Sequence, residues 1–266
     1  MLRPVVDADW LSDHPEAVLA DVRSYTDGRS GVEAYERAHL PGAVFVDLDR
    51  WLAAAPSRAL GRHPLPEPAV FAEGMREAGI GDDDTVIAYD DDSGAIAARL
   101  VWMLRVTGHP AALLDGGITG WLGRREQGVL RRSRARFTES PWPAEHLASV
   151  EDAADPAVPL LDARPAERYR GEVEPLDARP GHVPGARSLP CRENVDAKGR
   201  LLPVPELRAR LTAAGADHEG WVSYCGSGVT ACHTLLVAEH LGLPTGRLYP
   251  GSWSQWAATD RPAETG

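Results

Sequence analysis

An internal repeat is the feature of this 266-residue sequence that most limits its fold. Four short segments of the first half recur in the second half, in the same order and at nearly the same separation. The recurring pairs are residues 19–23 with 160–164, 39–43 with 182–186, 88–90 with 223–225, and 114–117 with 249–252. Because self-similarity of this kind indicates copies of one structural unit, we expect two similar domains in tandem.

Each copy alternates short apolar runs with longer amphipathic stretches. The apolar runs are predicted as buried strands at residues 18–21, 44–47, 85–90, 111–114, 159–162, 186–189, 220–224 and 246–248. Helices are predicted at residues 67–78, 95–106, 204–214 and 228–241. The alternation indicates α/β domains, each with a mostly parallel sheet flanked by helices and with functional sites at the carboxyl ends of strands.

The periodicity fades between the copies, where Pro141 and Pro143 appear. This change predicts an inter-domain connector at residues 126–155. We therefore expect a first domain at residues 1–125 and a second at residues 156–266. The connector contains several arginines, and we interpret it as a solvated segment whose positive charge is offset by acidic neighbours.

Charge and composition exclude several classes of function. The formal net charge of −11 argues against nucleic acid as a partner. No apolar run approaches the roughly 20 residues of a membrane helix, and no secretory signal is visible, so we expect no membrane association. Three cysteines do not make a disulfide framework, which favours a reducing cytoplasm. An anion-binding site in so acidic a chain must supply its own local positive charge.

Cys225 follows a predicted strand and opens a loop containing Gly226 and Gly228 before a predicted helix. This arrangement aims backbone N–H groups and the positive end of the helix at the sulfur, which favours the thiolate. The alternative is a buried cysteine in a tight turn, which is the commoner role of a lone cysteine. The glycines and the change from strand to helix favour a nucleophile.

Residues 225–231, Cys-Gly-Ser-Gly-Val-Thr-Ala, resemble the active-site loop of the rhodanese-type sulfurtransferases, in the form of their mercaptopyruvate branch. Residues 181–186 and 249–256 are similar to two further signatures of that family. The resemblance implies two tandem rhodanese-like domains and an enzyme that carries sulfur as a persulfide on Cys225, without metal or organic cofactor. The loop residues it implies for substrate binding are Gly226, Gly228, Val229 and Thr230.

The resemblance also implies a relay of three polar side chains. In the mercaptopyruvate branch the serine two positions after the cysteine works with a histidine and an aspartate of the N-terminal domain, and the matching residues are Ser227, His63 and Asp49. Such a relay would orient the serine as a hydrogen-bond donor or proton shuttle. A surface histidine before a proline, and an aspartate that caps a helix, remain equally open interpretations.

Arginines are the expected partners of an anionic donor. Residues 162–171 resemble a family segment whose second arginine, Arg168 here, binds the negative group of the donor. Arg164 is expected to be structural, because the first copy has Arg23 at that place. A further substrate arginine usual in the mercaptopyruvate branch is absent, since the sequence reads Leu176 at its position. Arg179 is a candidate to replace it from a shifted position.

The first copy has Asp90 where the second has Cys225. A carboxylate cannot carry sulfane sulfur, so the first domain is predicted to be catalytically silent. Asp91 and Asp92 follow directly, and the three carboxylates are interpreted as a solvated acidic loop, because no second ligand cluster suggests a metal.

We therefore expect a sulfurtransferase that moves a sulfane sulfur from an anionic donor through Cys225 to cyanide, a small thiol or thioredoxin. 3-Mercaptopyruvate is favoured as the donor because Gly226 and Ser227 are neutral, whereas a thiosulfate dianion calls for basic residues there. Thiosulfate as the donor, and a non-catalytic sulfur-carrier or protein-binding module, are the alternatives. A phosphatase or arsenate reductase needs an arginine six positions after the cysteine, where this sequence has Ala231.

Overall fold

A parallel sheet lies at the centre of each of two units in the computed structural model, which describes residues 2–266. The first unit contains residues 2–54, 66–142 and 196–201. The second contains residues 55–65, 143–195 and 202–266. The predicted α/β class with mostly parallel sheets is confirmed.

Four strands of the first sheet have the same spatial order as the four strands of the second, when the second order is taken in reverse. The strands of the first unit are β1 (Val5–Val6), β2 (Val18–Asp21), β3 (Val44–Phe45), β4 (Val86–Tyr89) and β5 (Ala111–Leu114), in the order β1-β5-β4-β2-β3. The strands of the second are β6 (Leu160–Asp162), β7 (Arg187–Ser188), β8 (Val222–Tyr224) and β9 (Arg247–Leu248), in the order β7-β6-β8-β9. Strand β1 is the one element of the first sheet that the apolar runs did not predict, because two residues are too few to show a period.

Helices connect the strands in both units. The helices of the first unit are α1 (Ala8–Asp13), α2 (Gly31–Arg37), α3 (Pro68–Ala78) and α4 (Ala98–Val106), with a π-helical turn at Leu48–Leu52. The helices of the second are α5 (Val150–Ala154), α6 (Ala166–Tyr169), α7 (Val204–Ala214), α8 (Ala231–His240) and α9 (Ser252–Trp256), with 3₁₀ turns at Ala144–His146 and Cys191–Asn194. None within residues 2–266 has the length and apolar character needed to span a membrane.

The corresponding helices α3 and α7 use the same start and stop signals. Each has a proline in its first turn, where the missing N–H costs nothing. Each ends at a glycine with positive φ, Gly79 at 70° and Gly215 at 100°, a conformation that glycine adopts without steric cost. These local signals explain why both helices were predicted with nearly correct ends.

The recurring segments make the same contacts in both units. In the second, the Arg164 guanidinium pairs with both carboxylate oxygens of Asp162, and His182 Nδ1 lies 2.7 Å from the Tyr169 carbonyl oxygen while the two rings stack. In the first unit Arg23 pairs with Asp21 in the same way, and His39 Nδ1 lies 2.9 Å from the Tyr35 carbonyl oxygen with the two rings stacked. Both histidines and both ion pairs therefore hold loops at the carboxyl ends of the strands.

Part of the predicted connector packs on the first unit. Phe137 is buried against Phe71 in an edge-to-face contact, and its carbonyl oxygen accepts hydrogen bonds from the Arg76 guanidinium. Arg134 of the connector pairs with Glu73. The first unit accordingly extends to Trp142, beyond the boundary expected at residue 125. Residues without a regular period can still be fixed by a single buried aromatic ring.

Candidate active site

Cys225 lies directly after β8, one of the two strands of the second sheet that have neighbours on both sides. Its side chain is buried, with 2% of its surface exposed. The backbone N–H of Gly228 donates to Cys225 Sγ at 3.2 Å, and α8 begins three residues later at Ala231. The sulfur therefore faces a loop N–H group and the amino end of a ten-residue helix, an arrangement that stabilises negative charge on it.

Only glycine suits position 228. Its φ is +79°, and a Cβ atom there would lie 2.6 Å from the carbonyl oxygen of Pro250. Residues 226–230 are thus a loop around the sulfur, and α8 starts later than the residue 228 expected from the apolar pattern. Of the predicted loop residues, Val229 is buried, and Thr230 immediately precedes α8 without capping it through its side chain.

The C-terminal helix α9 holds the loop from the other side. The Ser252 hydroxyl accepts the backbone N–H of Cys225 at 3.1 Å. The backbone N–H groups of Trp253 and Ser254 donate to the carbonyl oxygens of Cys225 and Gly226 at 3.0 and 2.9 Å. Residues 249–256, one of the two further family signatures in the sequence, are therefore in direct contact with the cysteine loop.

Ser227 and His63 meet within the second unit. His63 Nδ1 lies 2.7 Å from Ser227 Oγ, and Ser227 is buried. His63 comes from residues 55–65, which belong to the second unit although they lie within the predicted first domain. Asp49 is an exposed residue on the turn Leu48–Leu52 of the first unit, and its part in a relay stays a prediction.

Residues 55–65 are fixed to the second unit by backbone contacts. The N–H of Arg62 donates to Ser254 Oγ at 3.0 Å, and the Gln255 amide donates to the carbonyl oxygen of Ala59 at 2.6 Å. Gly61 approaches so closely that a Cβ atom there would lie 2.6 Å from the Gly251 carbonyl oxygen. The segment therefore reaches the cysteine loop through α9.

Arg168 lies beside the cysteine loop, as predicted, and is held by two carboxylates. Its Nη2 donates to Glu174 at 2.6 Å and to Asp177 at 3.2 Å. A Cβ atom built on Gly226 would lie 3.4 Å from Arg168 Nη1 and 2.9 Å from Arg62 Nη2. Arg62 was not identified from the sequence, and it forms an ion pair with Asp177.

Arg179 points elsewhere. Its Nη2 donates to the carbonyl oxygens of Trp256, at 3.3 Å, and of Arg261. The three side-chain atoms nearest to a Cβ atom at Gly226 all belong to Arg62 and Arg168. The structure thus does not bring Arg179 to the loop, where Arg62 is found instead.

Asp177 is the acidic residue shared by the two arginines. Burial raises its pKa, and the charges of Arg62 and Arg168 oppose that rise. The neighbouring carboxylate of Glu174 adds to it. A proton on Asp177 would remove one negative charge from the surroundings of both guanidinium groups.

The equivalent loop of the first unit holds a carboxylate. Asp90 is fully buried, with 0% of its surface exposed, and four backbone N–H groups donate to it at 2.8 Å. The donors belong to residues Asp92, Gly94, Ile96 and Ala97. The expectation of a solvated loop is therefore wrong for Asp90, because backbone N–H groups replace water, while Asp91 is exposed as expected.

Comparison with known proteins agrees with this architecture. The Rhodanese-like domain family matches residues 7–124 and 144–259. This chain belongs to the rhodanese family. Both the resemblance seen in the sequence and the expectation of two rhodanese-like domains are confirmed.

Proteins similar to this chain include named sulfurtransferases. The "Probable 3-mercaptopyruvate sulfurtransferase" of Pseudomonas aeruginosa is 40% identical over 95% of this chain and 93% of its own length. The "Putative thiosulfate sulfurtransferase SseB" of Mycobacterium tuberculosis is 38% identical over 92% of this chain and 88% of its own. The crystal structure of SseA from Escherichia coli, described as a 3-mercaptopyruvate sulfotransferase, superposes with a TM-score of 0.82 at 35% identity, covering 95% of this chain and 99% of that one. The expected enzyme class, a sulfurtransferase, is confirmed.

Proposed function

We propose that this chain transfers a sulfane sulfur from 3-mercaptopyruvate to a thiol or cyanide acceptor through a persulfide on Cys225. The observation that carries the proposal is the Gly228 N–H bond to Cys225 Sγ at the amino end of α8, with the Ser227–His63 pair two residues along the same loop. The first part prepares a nucleophilic sulfur, and the second supplies a group that can move a proton.

In the first half-reaction the Cys225 thiolate attacks the sulfur of mercaptopyruvate. A sulfur–sulfur bond forms, the carbon–sulfur bond breaks, and its electron pair leaves with carbon as the enolate of pyruvate. The enolate takes up a proton and the new persulfide loses one, so protons and charge balance. In this scheme the loop N–H groups stabilise the anionic persulfide, as an oxyanion hole stabilises oxygen, and the proposal is supported by the Gly228 N–H bond to Cys225 Sγ.

Ser227 and His63 are proposed to manage the proton of the enolate. At 2.7 Å their side chains share a hydrogen bond, so Ser227 can deliver a proton to the donor carbon or carbonyl and be reprotonated through His63. Asp49 is proposed to orient His63, as the family resemblance implies. Thiosulfate would not need this relay, because its leaving sulfite requires no proton on carbon.

In the second half-reaction an acceptor removes the outer sulfur. Cyanide attacks it, the sulfur–sulfur bond breaks, and thiocyanate leaves while the Cys225 thiolate is restored. A thiol acceptor instead takes the outer sulfur as its own persulfide and restores the Cys225 thiol; a second thiol can then attack that persulfide, which forms a disulfide and releases hydrogen sulfide. We propose a small thiol or thioredoxin as this acceptor. No cofactor takes part in either half of the scheme.

The first unit is proposed to be catalytically silent. Its loop has the buried carboxylate of Asp90 in place of the thiol, and that carboxylate already uses four backbone N–H groups. It therefore offers neither a sulfur atom nor free donors for an anionic intermediate.

Thiosulfate is the second candidate donor, favoured by the name of the Mycobacterium tuberculosis relative. The two donors are distinguished by thiocyanate formation from each donor with the purified protein. We expect a higher kcat/KM for mercaptopyruvate, and an equal or higher value for thiosulfate would reverse the donor assignment. No turnover with either donor would favour a non-catalytic sulfur carrier.

The persulfide and the relay are tested separately. After treatment with mercaptopyruvate, mass spectrometry should find one added sulfur on the peptide with Cys225 and none on those with Cys191 or Cys232. Cys225→Ser should abolish transfer. Ser227→Ala and Asp49→Asn should lower kcat for mercaptopyruvate, about 10²- to 10⁴-fold for a lost proton-transfer group, and affect thiosulfate much less.

A further inference from the structure

Ser252 has a backbone conformation that is unusual for a residue with a side chain. Its φ is +52°, and among residues 2–266 the one other residue besides the glycines with a positive φ is Ser93. This left-handed region brings Cβ close to a carbonyl oxygen, so a residue with a side chain adopts it where other contacts hold it there. The side chain of Ser252 is fully buried, with 0% of its surface exposed.

The Ser252 hydroxyl makes two hydrogen bonds that account for this conformation. It donates to the carbonyl oxygen of Tyr249 at 2.9 Å and accepts the backbone N–H of Cys225 at 3.1 Å. Because the hydroxyl proton is used by Tyr249, an oxygen lone pair is left for the N–H of Cys225. One side chain therefore ties the backbone of the reactive residue to the residue that follows β9.

The first unit has a glycine at the equivalent place. Gly117 has a φ of +51°, and in both units the N–H of the next residue donates at 3.0 Å to the carbonyl oxygen of the residue that opens the loop, Asp90 or Cys225. A Cβ atom at Gly117 would lie 2.3 Å from the Asp90 carbonyl oxygen. The turn is thus common to both units, but the strained serine and its hydroxyl occur only where the loop carries the cysteine.

We propose that Ser252 is a positioning residue for the nucleophile. Its hydroxyl fixes the backbone of Cys225, so that Sγ stays at the Gly228 N–H and the amino end of α8. The inference rests on the proposed function, in which Cys225 carries the sulfur. Ser252 acts through the Cys225 backbone and makes no contact of its own with the donor.

The position of the sulfur depends directly on the backbone of Cys225. A single rotatable side-chain bond separates Cα from Sγ, so a shift of the backbone moves the sulfur by a similar distance. In the structure Sγ lies 3.2 Å from the Gly228 nitrogen. A displacement of about 1 Å would lengthen that bond and misalign the sulfur for attack, and misplacement of this size can lower a rate about 10²-fold.

The test compares Ser252→Ala with Ser252→Gly. Both substitutions remove the hydroxyl, but only glycine relieves the positive φ, so Ser252→Gly should unfold about 2–4 °C above Ser252→Ala. Despite this difference, we expect the kcat of both variants to fall about 10- to 100-fold, with mercaptopyruvate and with thiosulfate alike. If Ser252 served only the stability of the turn, activity would follow stability and the glycine variant would recover it.

The matched control is Thr259→Ala. The Thr259 hydroxyl donates to the Trp256 carbonyl oxygen at 2.7 Å just after α9, so this substitution removes a local hydrogen bond that does not involve the cysteine loop. Its kcat should equal that of the parent protein. A glycine variant with the parent's kcat, or variants whose losses are confined to KM, would overturn the positioning role of Ser252.

A readout without any sulfur donor separates this inference from the proposed function. The rate at which iodoacetamide alkylates Cys225 at neutral pH is followed by mass spectrometry of its peptide. Because the thiolate is the reactive form and the loop N–H stabilises it, alkylation should be about 10-fold slower in both Ser252 variants and unchanged in Thr259→Ala. Slower alkylation supports the inference even if the parent turns over neither donor, whereas alkylation at the parent's rate in both Ser252 variants would overturn it and leave the sulfurtransferase assignment intact.

Discussion

The Ser254 hydroxyl accepts the backbone N–H of Arg62 at 3.0 Å and donates to the Gly251 carbonyl oxygen at 3.0 Å. This one buried hydroxyl joins two segments that are far apart in the sequence. It thereby fixes the positions of both Arg62 and the adjacent His63 relative to the cysteine loop.

Removing that hydroxyl should loosen residues 55–65. A net hydrogen bond contributes about 0.5–1.5 kcal/mol, so we expect the Arg62 amide of Ser254→Ala to exchange its hydrogen about 2- to 12-fold faster. Hydrogen exchange with residue-level resolution measures this. The Ile80 amide, bonded to the Met75 carbonyl oxygen in the first unit, is the internal reference and should not change. Equal protection of Arg62 in both proteins would contradict the anchoring role of Ser254.

Two glycines of the loop should respond differently to alanine. At Gly226 the added methyl group meets the flexible ends of Arg62 and of Arg168, the residue expected to bind the donor, so Gly226→Ala should keep its stability but raise the KM for mercaptopyruvate about 10-fold. At Gly228 the methyl group meets the Pro250 carbonyl oxygen on a backbone with positive φ, so Gly228→Ala should lose at least about 2 kcal/mol of stability. Thermal unfolding and donor kinetics measure the two effects. A destabilised Gly226→Ala with unchanged KM would contradict the position assigned to Arg62.

The buried carboxylate of Asp90 should stabilise the first unit. Asp90→Ala leaves four backbone N–H groups without their acceptor, and each unsatisfied buried group costs about 1–3 kcal/mol. Allowing for partial replacement by water, we expect a loss of at least about 3 kcal/mol in urea unfolding. Asp83→Ala, at an exposed aspartate of the same unit, should stay within about 0.5 kcal/mol. Equal effects of the two substitutions would show that the loop does not depend on the carboxylate.

Asp177 should make carboxylate binding depend on pH. Burial raises its pKa against the opposing charges of Arg62 and Arg168, and Glu174 is the other charged group that acts on it. As the pH falls through this raised pKa, Asp177 gains a proton and its negative charge beside Arg62 and Arg168 is lost. Pyruvate should therefore bind more tightly toward low pH.

The comparison uses Cys225→Ser with and without Asp177→Asn. Because both proteins have serine at position 225, a thiolate contributes to neither pH profile. Asparagine keeps an oxygen that accepts from the guanidinium groups but cannot change charge. Calorimetric titrations from neutral pH down to about 4, the ordinary value for an aspartate, should show the steeper rise in affinity only where Asp177 is present. Parallel pH profiles would exclude Asp177 as the source.

The sequence was sufficient for features that depend on local signals or on repetition. Strands β6 and β8 are fully buried because each lies between two neighbouring strands, and the cysteine loop is marked by its two glycines. The Asp162–Arg164 pair was expected to be structural because Asp21 and Arg23 repeat it, and the same contacts are found in both units.

The features that were missed depend on packing between distant segments. Nothing in the residues around Arg62 indicates that their backbone is bonded to α9, so the approach of Arg62 to Gly226 could not be predicted. Asp90 was misjudged because three successive aspartates usually indicate solvent, whereas the fold surrounds the first of them with N–H groups. One signal was available: Asp90 occupies the position of a residue expected to be held by loop amides.

The assignment of residues 55–65 to the second unit means that the repeat in the sequence is not a repeat of separable parts. A fragment cut at Pro143 would contain every strand of the second sheet and the whole cysteine loop. It would nevertheless lack Arg62 and His63, which reside upstream within the other copy. The second unit therefore consists of the second copy of the repeat together with eleven residues, 55–65, from the first copy. Exchanging the catalytic unit between two relatives would require moving both pieces of sequence.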